Sequence, residues 1–245
     1  MDFDSYARRL WAGRADAYEH GFARLTVHAV GALLDAAGVG TGTRVTAVDA
    51  EPSMAEAAAH NVPGLDVRVA VLPDLPLPAA GFDAVTGNFV IHATGDPAAV
   101  LAELRRVLRA GGRLALTCWS EPPPPVLGIA REALEAAGVS WPPDIPVPPF
   151  RPYSSPGTFA ALLAEAGFTE TAAQVLTWKF RVDPQEWWQV YRSSVGSSGA
   201  VIARQDDATI ERIKGEFGSL AARYATGDGA VALPASAVLA SGTRP

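Results

Sequence analysis

Apolar residues recur along this chain with two different spacings, and their order predicts an α/β fold. Residues 3–37 carry apolar side chains at helical spacing, and Gly38 and Gly40 end that helical stretch. Between residues 44 and 119, short valine-rich segments alternate with segments rich in alanine and leucine. The first kind is typical of buried strands and the second of helices. Strands that alternate with helices form a mostly parallel sheet with helices on both of its faces.

The pattern predicts about six strands, joined by helices and by a proline-rich interruption. The predicted strands cover residues 44–50, 65–71, 82–91, 113–119, 171–181 and 230–241. The predicted helices cover residues 51–60, 96–109, 129–137, 157–166, 185–193 and 206–224. Between residues 121 and 156 the proline clusters EPPPP and WPPDIPVPP flank one helix. That stretch is too long for a tight turn, so we expect it to cover an edge of the sheet.

Length and composition are consistent with one domain over residues 1–245. A chain of 245 residues with 49% hydrophobic and 19% charged residues can bury a sizeable core. We divide it into N-terminal helices (1–40), a sheet core (41–120) and two cover segments that would bound a substrate site (121–170 and 183–228).

Charge and cysteine content exclude several classes of function. The 26 acidic residues outnumber the 20 basic ones, which disfavours a nucleic-acid partner. A single cysteine, Cys118, rules out an internal disulfide and a cysteine-based zinc site, and no His, Asp or Glu spacing predicts another metal site. The N-terminus lacks an apolar signal segment, and no apolar run approaches the roughly 20 residues of a membrane span. We therefore expect a cytoplasmic protein that does not enter membranes.

Four segments carry a resemblance to a known family. They are VTAVDAEPSM (45–54), LPLPAAGFDAV (75–85), NFVIHATGDPAAVLAELRRVLRAGGRLALTCW (88–119) and FRPYSSPGTFAALLAEAGF (150–168). In these segments the chain resembles the class I S-adenosylmethionine-dependent methyltransferases of the ubiquinone/menaquinone-biosynthesis type. The run FDAV…L.ELRRVLR.GGRLAL is specific for that family and is not typical of Rossmann dehydrogenases. The resemblance implies a Rossmann-like sheet in the order 3-2-1-4-5-7-6, with the last strand antiparallel, and S-adenosylmethionine as the cofactor.

The same resemblance assigns candidate cofactor residues. Asp49, with Glu51 close by, matches the family's carboxylate that binds the ribose hydroxyls of the cofactor. Independently of the resemblance, Asn88 lies at the end of the predicted strand 82–91, where its side-chain amide could hydrogen-bond the ligand or satisfy local backbone groups. The family's adenine-binding acid falls at Val71 in this chain, with Asp74 three residues late.

One unit of the family pattern is missing. The family's first strand, its glycine-rich loop and the following helix should precede residue 45, yet residues 37–44 lead directly into VTAVDA. Gly38, Gly40 and Gly42 spell G-x-G-x-G, but they follow a helix and precede a strand. A phosphate-binding loop needs the reverse order, so we interpret them as a helix cap with a connector, or as a rearranged ligand loop. We expect VTAVDA to move into the vacated central position, or a neighbouring segment or chain to fill it in a swapped homodimer.

Candidate chemistry lies at the ends of the predicted strands and in the cover segments. His92 follows the strand 82–91, where a neutral imidazole could act as a general base near pH 7 or simply pack against the sheet. Four aromatic residues are candidates for the wall of a pocket for a small, flat, apolar substrate, with core packing as the alternative for each. They are Tyr18, Trp119, Trp141 and Trp188. The neighbours Trp187 and Trp188 should not both face inward on one helix.

Three functions are compatible with this sequence. The first is a methyltransferase-like protein of small-molecule, secondary metabolism with a degenerate cofactor site, which catalyses a cyclisation, elimination or rearrangement of an apolar metabolite. The second is an active S-adenosylmethionine-dependent O-, N- or C-methyltransferase. The third is a non-catalytic partner that stabilises an active homologue.

Overall fold

A computed structural model describes residues 2–193 and 196–245, in which six strands are formed, as the sequence pattern predicts. Their bounds are β1 (Thr46–Asp49), β2 (Asp66–Val69), β3 (Phe82–Gly87), β4 (Leu108–Trp119), β5 (Thr169–Val182) and β6 (Val231–Thr243).

The strands form two sheets, so the expectation of one mostly parallel sheet is wrong. The larger sheet has the order β3-β4-β6-β5, with β3 parallel to β4 and β6 antiparallel to both β4 and β5. The smaller sheet consists of β1 and β2 in parallel pairing. Apart from the absent central strand, the order matches the one that the family resemblance implies. The absent strand would lie between β1 and β3, which is where the two sheets separate.

The segment VTAVDA does not move into that central position, contrary to our expectation. Within the described part of the chain, β1 pairs with β2 alone. The helix that connects the two strands, α5 (Pro52–Asn61), packs against both of them and keeps them together. Across the connector, α4 (Val30–Ala37) packs on the larger sheet, where Arg113 Nε donates to the carbonyl oxygen of Ala36 at 3.0 Å. The connector over residues 38–45 therefore begins at a helix that packs on the larger sheet and ends at a strand of the smaller sheet.

The helices begin at strong local signals. Before the first sheet lie α1 (Phe3–Trp11), α2 (Ala15–Tyr18), α3 (Arg24–Thr26) and α4, with a π-helical turn at Glu19–Ala23 and a 3-10 turn at Val27–Ala29. The others are α5, α6 (Pro97–Val107), α7 (Pro125–Ala136), α8 (Pro156–Glu165), α9 (Pro184–Arg192), α10 (Gly196–Ile202) and α11 (Asp207–Ala221). Helices α5 to α9 all start with proline, whose fixed φ suits the first helical position and whose missing N–H costs nothing there.

Two helix predictions need correction. Helix α6 ends at Val107 and not at residue 109, because β4 begins at Leu108 and includes Gly111 and Gly112. A Cβ atom at Gly112 would lie 2.8 Å from the carbonyl oxygen of Arg109, so only glycine fits that point of the strand. Helix α10 was not predicted, since its glycine- and serine-rich sequence has weak helix propensity.

The core lies on both faces of the larger sheet. In β6, Leu239 faces α4, whereas Val238 and Ala240 belong to the cluster formed with α6 and α8. A third cluster packs α7, α9 and α11 against the beginning of β6. Helix α9 is surrounded in it, so that Trp187 and Trp188 are both buried, at 1% and 2% exposure. The expectation that only one of them faces inward is wrong because α9 has packing partners on both sides. No helix among the described residues is long and apolar enough to span a membrane.

We predict that the β1–β2 sheet opens more easily than the larger sheet. An isolated two-stranded sheet is only marginally stable, and here it is covered by one short helix. Hydrogen-exchange mass spectrometry should show backbone amides of residues 46–49 and 66–69 exchanging on the order of 100-fold faster than those of residues 113–119. Equal protection of the two segments would contradict this separation into two sheets.

Candidate functional site

A cavity of about 270 Å³ lies between the N-terminal helices and the larger sheet. We call it the aromatic chamber. One of its walls is formed by side chains of the N-terminal helical region. The aromatic ones are Phe3, Tyr6, Trp11, Tyr18 and Phe22. The predicted pocket residue Tyr18 thus lies in the chamber wall.

The opposite wall is formed at the carboxyl ends of β3 and β4, where ligands of open α/β folds bind. Phe89 and His92 follow β3, Trp119 is the last residue of β4, and Tyr191 comes from α9. The rings of Phe89 and Trp119 pack with their centroids 4.1 Å apart. The predicted residues His92 and Trp119 therefore meet Tyr18 in one cavity. No Asp, Glu, Lys or Arg is found among the described residues that line it.

His92 sits in a 3-10 turn, Ile91–Ala93, that is packed against the end of the sheet. Its Nδ1 is shielded from solvent and has no hydrogen-bond partner among the described residues. Burial lowers the pKa of His92 to about 4, and no charged neighbour offsets that effect. His92 is therefore neutral at pH 7. A conjugate acid with so low a pKa makes it a weak general base, since an efficient one has a pKa near the working pH.

The side chain of Asn88 forms hydrogen bonds that fix the backbone next to Phe89. Its Oδ1 accepts a hydrogen bond from Thr117 Oγ1 at 2.8 Å, and its Nδ2 donates to the carbonyl oxygen of Thr26 at 3.3 Å. The Phe89 N–H in turn donates to Thr117 Oγ1 at 2.9 Å, although Phe89 has a left-handed φ of 55°. Such a conformation is costly for a bulky residue and persists only where surrounding contacts impose it. The role of Asn88 in cofactor binding remains a prediction, and its amide is bonded within the protein.

Tyr18 links the chamber to the end of β1. Its hydroxyl lies 3.3 Å from Thr26 Oγ1, which itself donates to the carbonyl oxygen of Phe22, so the tyrosine acts as the donor. Burial raises the pKa of Tyr18, the hydrogen bond with Thr26 lowers it, and the negative charge of Asp49 raises it further. Asp49 is therefore close enough to influence the chamber wall.

The two candidate cofactor carboxylates differ in how they are bonded. Asp49 Oδ1 accepts the Glu51 N–H at 2.8 Å, and its second oxygen has no partner among the described residues. Desolvation raises the pKa of Asp49, against the effect of the Glu51 N–H. Glu51 caps α5 through Ser53 and also accepts the Gly13 N–H at 3.2 Å. Asp49 can thus still accept a ligand hydroxyl, whereas Glu51 serves to hold the N-terminal segment.

The glycines at residues 38–42 do not form a phosphate-binding loop. Gly38, with φ of 68°, caps α4 through hydrogen bonds from its N–H to carbonyl groups of that helix, and the chain then enters β1. At the position of the adenine-binding acid, Val71 forms a backbone bridge with Asp74. Neither place supplies free N–H groups at a helix start or a carboxylate at the expected position.

Two predicted pocket residues lie outside the chamber. The Trp141 ring lies under the guanidinium of Arg131, 4.6 Å from its central carbon, and Trp188 packs against Phe217 in the core with ring centroids 5.4 Å apart. Trp188 lies in the core cluster and Trp141 packs against it. Core packing was the alternative given for each of them from the sequence. The described residues contain no group of three or more His, Cys, Asp or Glu side chains that could hold a metal ion.

A larger depression of about 580 Å³ lies at the surface beside the proline-rich segment. Its charged residues, Arg151 and Glu121, are paired with each other at 2.8 Å. It shares Pro148 with the chamber, and its described lining contains the buried Ser154 but no aromatic side chain and no histidine. The chamber is therefore the better candidate for a functional site.

Several chamber residues were missed by the sequence analysis. On α1, Phe3, Tyr6 and Leu10 follow one another at spacings of three and four, which is the signal of a helix with one apolar face. That signal was present, but it did not say whether the face packs in the core or lines a cavity. Phe89 and Tyr191 gave no local signal.

Comparison with known proteins supports the family resemblance. Residues 29–116 match the methyltransferase domain family. The nocamycin O-methyltransferase of Saccharothrix syringae is 34% identical over 147 residues, which are 54% of this chain and 52% of that enzyme. The demethylmenaquinone methyltransferase of Renibacterium salmoninarum is 35% identical over 113 residues, which are 40% of this chain and 48% of that enzyme. The chain thus spans about half the length of these curated relatives.

A solved structure supports the fold. A putative methyltransferase from an antibiotic biosynthesis pathway of Anabaena variabilis superposes with a TM-score of 0.57 at 13% identity. The match covers 89% of this chain and 97% of that one. At this level of sequence identity the superposition supports a shared fold and not a shared activity or substrate.

We predict that His92 makes the stability of the protein pH-dependent. Below about pH 6.5 the unfolded chain binds a proton at this histidine, whereas the folded chain binds it only near pH 4. The free energy of unfolding should therefore fall as the pH falls, by about 1.4 kcal/mol per unit from this group alone. Urea unfolding of the wild type should lose about 2 kcal/mol more between pH 6.5 and 5 than that of His92→Phe. Replacement of the exposed His60 by Phe serves as the control, and parallel pH curves for wild type and His92→Phe would refute the prediction.

A second prediction concerns the attachment of α1 over the chamber. The Gly95 N–H donates to Asp4 Oδ1 at 2.6 Å and ties α1 to the loop that follows His92. Asp4→Ala removes this bond, so α1 should open more often and expose the histidine. Diethyl pyrocarbonate should then modify His92 roughly 5- to 10-fold faster, as measured by peptide mass spectrometry. The exposed Asp16 is the matched control, since Asp16→Ala should leave the rate unchanged. An unaltered rate in Asp4→Ala would show that this bond does not hold α1 closed.

Proposed function

We propose that this protein, whose residues 29–116 match the methyltransferase domain family, acts on a small apolar metabolite in the aromatic chamber. The reaction is one that does not transfer a methyl group: a cyclisation, an elimination or a rearrangement in secondary metabolism. The nocamycin relative supports the metabolic context. The observation that carries the proposal is an aromatic-lined cavity that contains one neutral histidine and no charged side chain among its described lining residues.

The size and chemistry of the chamber define the substrate class. A cavity of about 150 Å³ holds benzene, so about 270 Å³ holds a ligand of roughly ten non-hydrogen atoms. A charged ligand would lose its hydration without gaining a counter-charge from the described wall, which excludes such a ligand on energetic grounds. Flat apolar rings can stack on Phe89 and Trp119. An apolar wall of this kind promotes a unimolecular reaction where it holds the substrate in its reactive conformation.

S-adenosylmethionine does not fit the residues at its expected site. The connector over residues 38–45 provides no helix start for the methionine moiety, and Val71 provides no carboxylate for the adenine. Only Asp49 offers a free oxygen. The loss of several hydrogen bonds, each worth about 1 kcal/mol, weakens binding by roughly three orders of magnitude. We therefore derive no step of the reaction through this cofactor.

Two other functions each have one observation in their favour. The free oxygen of Asp49, together with the family membership, favours a methyltransferase that binds its cofactor in a rearranged way. The edges of β1 and β3 that the absent strand leaves without a β-partner in the described chain favour an interface, either in a homodimer or with an active homologue.

Calorimetry on the purified protein tests these proposals. We expect no heat of binding with S-adenosylmethionine at micromolar concentrations, and measurable binding of indane, a neutral fused-ring hydrocarbon of suitable size. Ala93→Phe fills the chamber and should abolish indane binding, whereas Ala102→Phe on the exposed side of α6 should not. Micromolar binding of S-adenosylmethionine that is lost in Asp49→Ala would replace the proposal by methyl transfer. Failure of indane to bind the wild type would remove the chamber as the ligand site.

A further inference from the structure

The position of the proton on His92 decides what this residue can offer to a ligand. A neutral imidazole carries one N–H donor and one acceptor nitrogen, and its surroundings select between the two tautomers. Nδ1 is shielded and has no partner among the described residues. Nε2 is not among the shielded atoms, and the ring itself lines the chamber. The two nitrogens therefore face different environments.

These environments favour the proton on Nε2. A buried N–H group without an acceptor is rarer and more costly in proteins than an acceptor that lacks a donor. A proton on Nδ1 would be a buried donor without an acceptor, whereas a proton on Nε2 can be donated to a molecule in the chamber. In a histidine that works as a base, a carboxylate or carbonyl group normally holds the N–H of the other ring nitrogen. His92 has no such group at Nδ1.

The tyrosine hydroxyls of the chamber are already committed within the protein. Tyr6 donates to Ser197 Oγ at 3.2 Å, and Tyr191 donates to the carbonyl oxygen of Val126 at 3.0 Å. Tyr18 donates to Thr26 Oγ1. The tyrosine donors of the described wall are thus occupied, whereas a proton on His92 Nε2 has no acceptor among the described residues, and the indole N–H groups of Trp11 and Trp119 are the other donors of this wall without one there.

From this arrangement we infer that His92 acts in the chamber as a hydrogen-bond donor through Nε2–H, and that the ligand is a neutral ring compound with a carbonyl or similar acceptor oxygen. This inference rests on the proposed function and specifies its substrate class. A hydrogen bond to a carbonyl group withdraws electron density from an adjoining double bond. It therefore activates the compound for ring closure or rearrangement without any proton transfer. The low pKa of His92 keeps this donor neutral throughout the physiological pH range.

The tautomer can be observed directly. Two-bond ¹H–¹⁵N correlation spectra of the ¹⁵N-labelled protein distinguish a protonated Nε2 from a protonated Nδ1, and His92→Phe identifies the signal. We expect the Nε2–H form at pH 7 with no ligand added. A proton on Nδ1 would overturn the inference, whatever binds in the chamber.

Binding of a matched pair of compounds tests the ligand chemistry. Indane and 1-indanone share a ring system, and only the ketone carries an acceptor oxygen. In the wild type, 1-indanone should bind about 5- to 10-fold more tightly than indane, as expected for one additional neutral hydrogen bond. His92→Phe should keep the affinity for indane and lose the preference for the ketone. His60→Phe, which replaces an exposed histidine outside the chamber, should retain the preference.

The outcomes separate this inference from the proposed function. Equal affinities for the two compounds in the wild type, or a ketone preference that persists in His92→Phe, would refute the role of His92 and leave the chamber as a binding site. If neither compound binds, the proposed function fails together with the ligand class inferred here.

Discussion

The antiparallel pairing of β6 with both β4 and β5 holds the larger sheet together, and the helices and the chamber are positioned by that sheet. β6 is the inner strand that joins residues far apart in the chain, since it pairs with residues 113–119 on one side and 169–182 on the other. Helices pack on both faces of the resulting sheet and bury its alternating side chains. Because β4 is fixed in this way, Trp119 at its end and the loop after the neighbouring β3 have defined positions. The aromatic chamber is built on those two strand ends.

Within the chamber, burial determines the chemistry. The turn that carries His92 is packed against the sheet end and shields its Nδ1, and this burial lowers the pKa of His92 to about 4, so that its imidazole is neutral at pH 7. A hydrogen-bond network from Tyr18 through Thr26 and Asn88 to Thr117 connects the N-terminal helices with the strand ends. The same network holds Phe89 in a conformation that the residue would not adopt alone. Polar groups here are used mainly to shape an apolar space, which suits the recognition of a neutral ligand.

The sequence predicted local structure better than it predicted the relation between segments. Six strands and the proline-initiated helices follow from periodicity and capping, because those signals depend on neighbouring residues. The division into two sheets was not predicted, since it depends on packing between distant segments. Helix α4 packs on the larger sheet, whereas α5 packs on β1 and β2, and the connector over residues 38–45 joins the two parts. For the site, the candidate residues Tyr18, His92 and Trp119 line one cavity, and their roles stay predictions. The sequence did not distinguish Trp141 and Trp188, which lie outside the chamber, from these three residues. An aromatic residue in a cover segment gives the same sequence signal whether it packs in a core or lines a cavity.

None of the described residues that line the chamber belongs to the stretch from β1 through β2. The described lining of the chamber and the candidate nucleotide-binding residue Asp49 are therefore carried by different stretches of the chain. The two stretches still meet, because Glu51 accepts the Gly13 N–H and Asn61 donates to Glu19, both in the helical region that forms one chamber wall. A change in the stretch from β1 through β2 would therefore reach the cavity through the position of the N-terminal helices and leave the chemistry of its lining side chains as it is.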